Sequence, residues 1–216
     1  MDVNGKEFDA AIFDLDGTII ESNSVWEKLD VIMLNRRGIK PNDEFIKALT
    51  AMSYEEAAEE FRKLGVNIST SEFMEEIDIL AEYEYAHNIK LKDGIKEYLE
   101  LLKENNVKIG LATASTPKLY LSVLKNNGVY DFFDAFVTTY DVGKGKEYPD
   151  IYIETARQLG ASKEKCVVFE DIFKAINTAY LAGMITVAVY DDYSALDKEK
   201  MCLISDKYIQ NFNELL

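Results

Sequence analysis

The sequence is poor in the residues that mark secreted, fibrous or linker-rich chains. Two cysteines, Cys166 and Cys202, cannot build a disulfide framework and have no metal-ligand spacing. Cys166 opens the apolar run Cys166-Val-Val-Phe169 as a buried strand residue would, so both cysteines are read as structural. Three prolines and eleven glycines, with no Ser/Pro-rich or repeated stretch, exclude long linkers and solenoid architecture. No apolar run approaches membrane-spanning length, and the start Met1-Asp-Val-Asn-Gly-Lys-Glu has neither the basic flank nor the apolar centre of a leader, so the expected location is cytoplasmic. Positive charge is scarce as well. Against 39 Asp and Glu there are 24 Lys and Arg, a formal charge of −15 that argues against nucleic acid or an anionic membrane as partner. A phosphate-bearing ligand would have to be drawn in by local positive charge or a bound metal. The only histidine, His87, is read as a surface or hinge residue. Nothing in the sequence sets an oligomeric state.

What is present suffices for one large domain or a domain with a smaller insertion, since 48% of 216 residues are hydrophobic. Short β-rich runs, Phe8 to Asp14, Lys108 to Thr113, Ala135 to Thr139, Cys166 to Glu170 and Ile185 to Tyr190, alternate with helical patterns, which predicts an α/β fold on a mostly parallel sheet. The helical stripes are Ile95, Leu99 and Leu102; Leu119, Val123 and Leu124; Tyr152, Ala156 and Leu159; and Ile172, Ile176 and Ala179, all assigned to core burial. Residues 22–87 read instead as consecutive helices, a second domain inserted into a core made of 1–21 and 88–216. Ser24-x-x-Glu27, Ser53-x-x-Glu56 and Ser69-x-x-Glu72 fit capping boxes there, and Val25, Leu29, Ile32 and Met33 supply an apolar face. Leaving the chain so soon after Asp16, this insertion could act as a lid that excludes water.

The segment Phe8-Asp-Ala-Ala-Ile-Phe-Asp14-Leu-Asp16-Gly17-Thr18 is a strand that delivers carboxylates to a turn. Residues two apart project to one side, so Asp14 and Asp16 should emerge together, with Gly17 turning the backbone and exposing its amide. Such a pair suits phosphoryl transfer: one carboxylate attacks phosphorus and the other exchanges a proton. An ordinary Asp-rich turn is the competing interpretation. A calcium loop starting at Asp14 is not, because its sixth and twelfth positions would be Ile19 and Val25. Further polar signals end other predicted strands, where open α/β sheets bind ligands. Thr113-Ala114-Ser115, before Pro117, could hold phosphate oxygens with a hydroxyl and amides, or simply cap a helix. Glu170-Asp171 could complete a magnesium site with Asp14, or merely start a helix. Two carboxylates ~4 Å apart repel by about 4 kcal/mol at an effective dielectric near 20. Converging acids therefore need a cation and a lysine, and Gly143-Lys144-Gly145-Lys146-Glu147-Tyr148-Pro149-Asp150 offers lysines without being a P-loop.

Taken in order, Asp-Leu-Asp-Gly-Thr, Thr113, Lys146 with Pro149-Asp150, and Glu170-Asp171 resemble the haloacid dehalogenase superfamily over nearly the whole chain, in its phosphatase branch. The resemblance implies a doubly wound, Rossmann-like sheet with a helical cap, and a magnesium-dependent phosphatase that works through an aspartyl-phosphate on a small phosphorylated metabolite, such as a sugar phosphate or a phosphoglycolate-like compound. It makes Asp14 nucleophile and Mg2+ ligand, Asp16 general acid/base and carbonyl ligand, Asp171 a further ligand, and Glu170 a ligand either directly or through water. Thr113 and Ala114 would hold the phosphoryl group together with the neighbouring Leu15, Gly17 and Ser115, and Lys146, chosen over Lys144 by its Pro-Asp neighbour, would neutralise charge. True dehalogenases lack the counterpart of Asp16, which argues against dehalogenation. The chain departs from the family pattern at Glu147, where proline is common, and at Ile172, where serine is common. Among the nearest relatives, β-phosphoglucomutase has a histidine where this chain has Trp26 and a cap arginine where it has Tyr54. Residues 64 to 86 hold no Lys or Arg, so a monophosphate hydrolase outranks a mutase. A phosphonoacetaldehyde hydrolase would need a lysine that Ala48 to Phe61 lacks. Trp26, Met52 and Tyr54 are the candidate substrate-facing cap residues. A non-catalytic phosphometabolite-binding module is the remaining alternative.

Overall fold

A β-hairpin opens the chain: β1 (Asp2–Val3) and β2 (Lys6–Glu7) pair antiparallel around Asn4 and Gly5, whose φ values of 50° and 80° are what a two-residue turn needs. The remaining strands, β3 (Ala10–Phe13), β4 (Lys108–Thr113), β5 (Ala135–Thr138), β6 (Cys166–Glu170), β7 (Ile185–Val189) and β8 (Lys207–Ile209), form a six-stranded sheet. Its order is β5-β4-β3-β6-β7-β8, with every pairing parallel. This computed structural model describes residues 1–50 and 52–216, and the side chains of all of these but Asp43, Lys47 and Thr50.

The helices are α1 (Asn23–Asn35), α2 (Asp43–Thr50), α3 (Tyr54–Lys63), α4 (Thr70–His87), α5 (Ile95–Glu104), α6 (Pro117–Asn126), α7 (Thr139–Val142), α8 (Asp150–Leu159), α9 (Phe173–Leu181) and α10 (Lys198–Ile204). The chain divides into two compact units, Met1–Glu21 with Lys90–Leu216, and Ser22–Ile89. In the first, both faces of the sheet are covered, so the central strands are apolar throughout instead of alternating. All four residues of β3 are buried. Ala10 and Ile12 pack with Ile151, Tyr152 and Ala156 of α8, while Phe13 stacks on its register partner Phe169 at 4.5 Å and meets Tyr98 of α5 and Phe212. That is the doubly wound α/β arrangement the sequence predicts.

Close packing of α8 depends on a missing side chain. A Cβ on Gly110 of β4 would lie 2.5 Å from Thr155 Cγ2 and 3.1 Å from Leu159 Cδ1. Gly110→Ala is therefore expected to overpack this layer and cost about 1–3 kcal/mol, read as a lowered Tm in a thermal melt.

In the helical unit, Ser53 and Ser69 form the expected reciprocal capping boxes with Glu56 and Glu72. Ser24 does not: α1 starts two residues earlier than a box there would require, with Ser22 as N-cap, so Ser24 lies inside the first turn. Ion pairs hold α4 to α1 and to the residues just after it: Lys28 of α1 to Glu84 at 2.6 Å, Arg36 to Glu76 at 3.5 Å, and a two-pronged Arg37–Glu76 contact at 3.2 and 2.6 Å. Ile172 also departs from its expected place in the core. It precedes α9 with extended backbone and is 54% exposed, and Ala175 takes the buried position. No helix among the described residues is long and apolar enough to cross a membrane.

Candidate active site

Parallel register brings distant acids together. Phe13 of β3 lies opposite Phe169 of β6, and the Asp14 N–H continues the ladder by donating to the Phe169 carbonyl at 3.0 Å. The next pair beyond it is Asp14 and Glu170, the last residue of β6, followed by Asp171. Carboxylate oxygens of Asp14, Glu170 and Asp171, all three buried, lie within 4.8 Å of one another. Beyond Phe13 the chain leaves the strand in a tight turn in which the Leu15 carbonyl accepts from the amides of Thr18, Ile19 and Ile20. Gly17 occupies this turn at φ +81°, a left-handed conformation that favours glycine. Its N–H is not exposed as the sequence suggests. It donates to the Ile20 carbonyl at 3.0 Å, because a buried amide needs a partner.

Asp16 follows the strand and does not join the three-acid cluster. Its Oδ2 accepts from the Ser115 hydroxyl at 2.6 Å, which links the end of β3 to the loop after β4. Thr113, the last residue of β4, is fully buried, and its Oγ1 accepts from the Ser115 N–H at 2.9 Å, so the hydroxyl proton stays available to a ligand. Ala114 is exposed between them, and the Leu15 side chain is buried in the core, leaving only its backbone to meet a ligand.

The two loop lysines separate cleanly. The Lys144 ammonium pairs with Asp150 at 2.7 Å on the surface. Lys146 turns inward, donating to Asp14 Oδ1 and to Glu170 Oε1, the latter at 2.6 Å. Burial works against its charge, but Asp14 and Glu170 outweigh burial and hold it well above the ordinary lysine range. Glu147, for its part, is exposed and lies 4.0 Å from Lys174, so its charge has an outlet away from Lys146.

One ammonium does not balance the acids. Burial first and Glu170 second push the Asp14 carboxyl well above the usual range, against the pull of Lys146. Burial, Glu170 and Asp191 push Asp171 up to about 7. Glu170 Oε1 is saturated by Lys146 and by the Tyr152 hydroxyl at 2.8 Å, yet Oε2 is buried with no hydrogen-bond partner. A hard oxygen donor set with surplus negative charge and an orphaned buried oxygen fits a divalent cation.

Several groups at this site escaped the sequence. The Thr18 hydroxyl donates to Asp171 Oδ1 at 3.2 Å. Lys92 donates to the Tyr190 carbonyl at 2.7 Å and pairs with Asp191 at 2.8 Å, both side chains only 10% exposed. Asp191 follows the end of β7, and the strand-end rule that located Glu170 could have found it. Tyr152 was hidden in the helical stripe of α8, where its ring is core and its hydroxyl is not. His87 is exposed and stacks on Tyr83 at 4.5 Å, within the last turn of α4. Trp26, Met52 and Tyr54 come together in the helical unit, where with Asp30, Leu49, Ala57, Phe73 and Ile77 they line a cavity of about 240 Å³.

Comparisons with known proteins agree on one family. The model of the haloacid dehalogenase-like hydrolases matches residues 8–183. YhcW of Bacillus subtilis, provisionally named a phosphatase, is 31% identical over 185 residues, 83% of this chain and 82% of its own. Hexitol phosphatase B of Escherichia coli K12 is 27% identical over 187 residues, with the same shares. A crystal structure from Thermotoga maritima, provisionally a β-phosphoglucomutase, superimposes with a TM-score of 0.83 at 22% identity, covering 96% of this chain and 98% of that one, a likeness of fold.

Proposed function

The chain belongs to the haloacid dehalogenase-like hydrolases, and from that membership we propose that it is a magnesium-dependent phosphatase that hydrolyses a small phosphorylated metabolite through an aspartyl-phosphate. The observation that carries this reading is the division of labour between two aspartates two residues apart: Asp14 beside a buried ammonium, Asp16 held apart by Ser115. The named relatives act on phosphorylated compounds, hexitol phosphatase B among them, which favours a phosphorylated carbohydrate or similar substrate.

In this mechanism a carboxylate oxygen of Asp14 attacks phosphorus, the ester P–O bond breaks, and Asp16 gives its proton to the leaving oxygen. Asp16, now a carboxylate, takes a proton from water as the water oxygen attacks phosphorus. The bond from Asp14 to phosphorus then breaks and inorganic phosphate leaves. Lys146 keeps positive charge against Asp14 and the phosphoryl oxygens, and the Thr113 hydroxyl with the Ala114 and Leu15 amides orients those oxygens. A divalent cation held by Asp14, Glu170, Asp171 and the Asp16 carbonyl would offset the negative charge that gathers when substrate joins the acids. The helical unit, entered at Ser22, serves as the cap that selects the organic part of the substrate and excludes water.

Hydrolysis of p-nitrophenyl phosphate with and without magnesium tests this proposal. Chelation is expected to reduce turnover to background and added magnesium to restore it. The melt should respond too: a ligand at 100 times its Kd stabilises the folded state by about 2.7 kcal/mol. Full turnover in excess chelator would remove the metal from the mechanism. No turnover with any phosphomonoester, despite magnesium-dependent stabilisation, would leave a binding module.

A further inference from the structure

The cavity in the helical unit contains a charge its surroundings do not explain. Asp30, on α1, is 4% exposed and lines this cavity among Trp26, Leu49, Met52, Tyr54 and Phe73. Among the described residues no hydrogen bond or ion pair reaches its carboxyl, and none of those lining the cavity is a cation. Of the described cations of the same unit, Lys28 pairs with Glu84, Arg36 and Arg37 with Glu76, Arg62 with Glu59 and Lys63 with Glu60, and Lys40 is not among the residues that line the cavity. Burial, then the nearby Glu27, pushes Asp30 up to about 7. An acid left in an apolar pocket without a partner costs stability, and the cost is recovered when a ligand brings the missing donor or positive charge.

The rest of the lining narrows the ligand. A second phosphate or a carboxylate would meet Asp30 and Glu27 with no cation among the described lining residues to compensate. A polyol would find few partners on walls of Leu, Met, Ala, Phe and Ile. An ammonium would pair with Asp30 while the aromatic faces of Trp26 and Tyr54 offer further attraction to a cation. We propose that Asp30 is the specificity-determining residue of the helical unit, and that its cavity takes the amine-bearing organic part of a phosphomonoester substrate. This rests on the phosphatase reading and adds the class of substrate to it.

The test compares matched substrates that differ only in the group Asp30 would meet: glucosamine 6-phosphate against glucose 6-phosphate, and ethanolamine phosphate against ethylene glycol monophosphate. The ratio of kcat/KM for amine over hydroxyl is expected to be about tenfold or more in the parent chain, in at least one pair, and close to one in Asp30→Asn. Asp30→Leu provides a second variant, and the melting temperature of each confirms that it folds. Because the readout is a ratio within one protein, a general loss of activity or packing does not move it. A ratio near one or below in the parent, or a preference that survives both variants, overturns the proposal. Should none of the phosphate esters, p-nitrophenyl phosphate included, be hydrolysed, the phosphatase reading fails separately. Calorimetric binding of glucosamine 6-phosphate then decides: tighter binding than glucose 6-phosphate, lost in Asp30→Asn, upholds the cavity assignment, and equal binding ends it.

Discussion

Asp14→Asn is expected to abolish hydrolysis of p-nitrophenyl phosphate and to leave the protein folded. The amide matches the carboxylate in shape but is far too weak a nucleophile to form the acyl phosphate, and loss of the attacking group in other covalent hydrolases costs about 10⁶-fold in kcat. A fall of roughly 10⁴-fold or more is therefore the expected result here. Stability should not follow activity down. The charged form of Asp14 is disfavoured first by burial and then by Glu170, so a neutral side chain removes a desolvated charge, and Lys146 keeps its 2.6 Å contact with Glu170. The measurement is turnover and thermal melt on the same preparation. Undiminished turnover would falsify the nucleophile assignment, whereas joint loss of activity and of the cooperative melt would identify a structural residue.

Much of this site was legible because catalytic carboxylates and sheet ends share one geometric rule. Asp14 and Glu170 each sit where an apolar run stops, and stopping an apolar run is visible in sequence. The strands at Lys108, Ala135, Cys166 and Ile185 were legible for the same reason, and the family resemblance carried by these motifs is confirmed by the match over residues 8–183. What stayed hidden depends on partners that are distant in sequence. β8 is three residues long and only partly buried, so its pairing with β7 leaves no pattern of its own. The first hairpin carries an Asn-Gly turn signal, but strands of two residues are too short to show alternation. Ser115 looks like a generic cap residue until β4 places it against Asp16, and Lys92 looks like a solvated lysine until Asp191 reaches it from the end of β7. Asp30 was the least legible. On a helix a lone aspartate between apolar residues suggests the solvent face, and only the folded unit shows it turned inward.

Asp16→Asn is expected to separate the two chemical steps that Asp14→Asn removes together. General acid and base catalysis contributes about 10²–10⁴-fold, and steady-state turnover of p-nitrophenyl phosphate should fall by an amount in that range. The first step ought to survive with this substrate, because p-nitrophenolate is a good leaving group and departs without a proton from Asp16. The second step has no such relief, since water must be deprotonated before it attacks the phosphorylated Asp14. A rapid-quench experiment should then show one equivalent of p-nitrophenol released in a burst before slow turnover, with the phosphoryl group held on the enzyme. An alkyl phosphate, whose leaving oxygen does need the proton, should show slow release and no burst. The amide can still accept the Ser115 hydroxyl at the position of Oδ2, so the turn that follows β3 is kept and the defect is confined to proton transfer. Equal slowing of both substrates with no burst would instead mean that Asp16 orients Asp14, and the proton would have to be traced to another group.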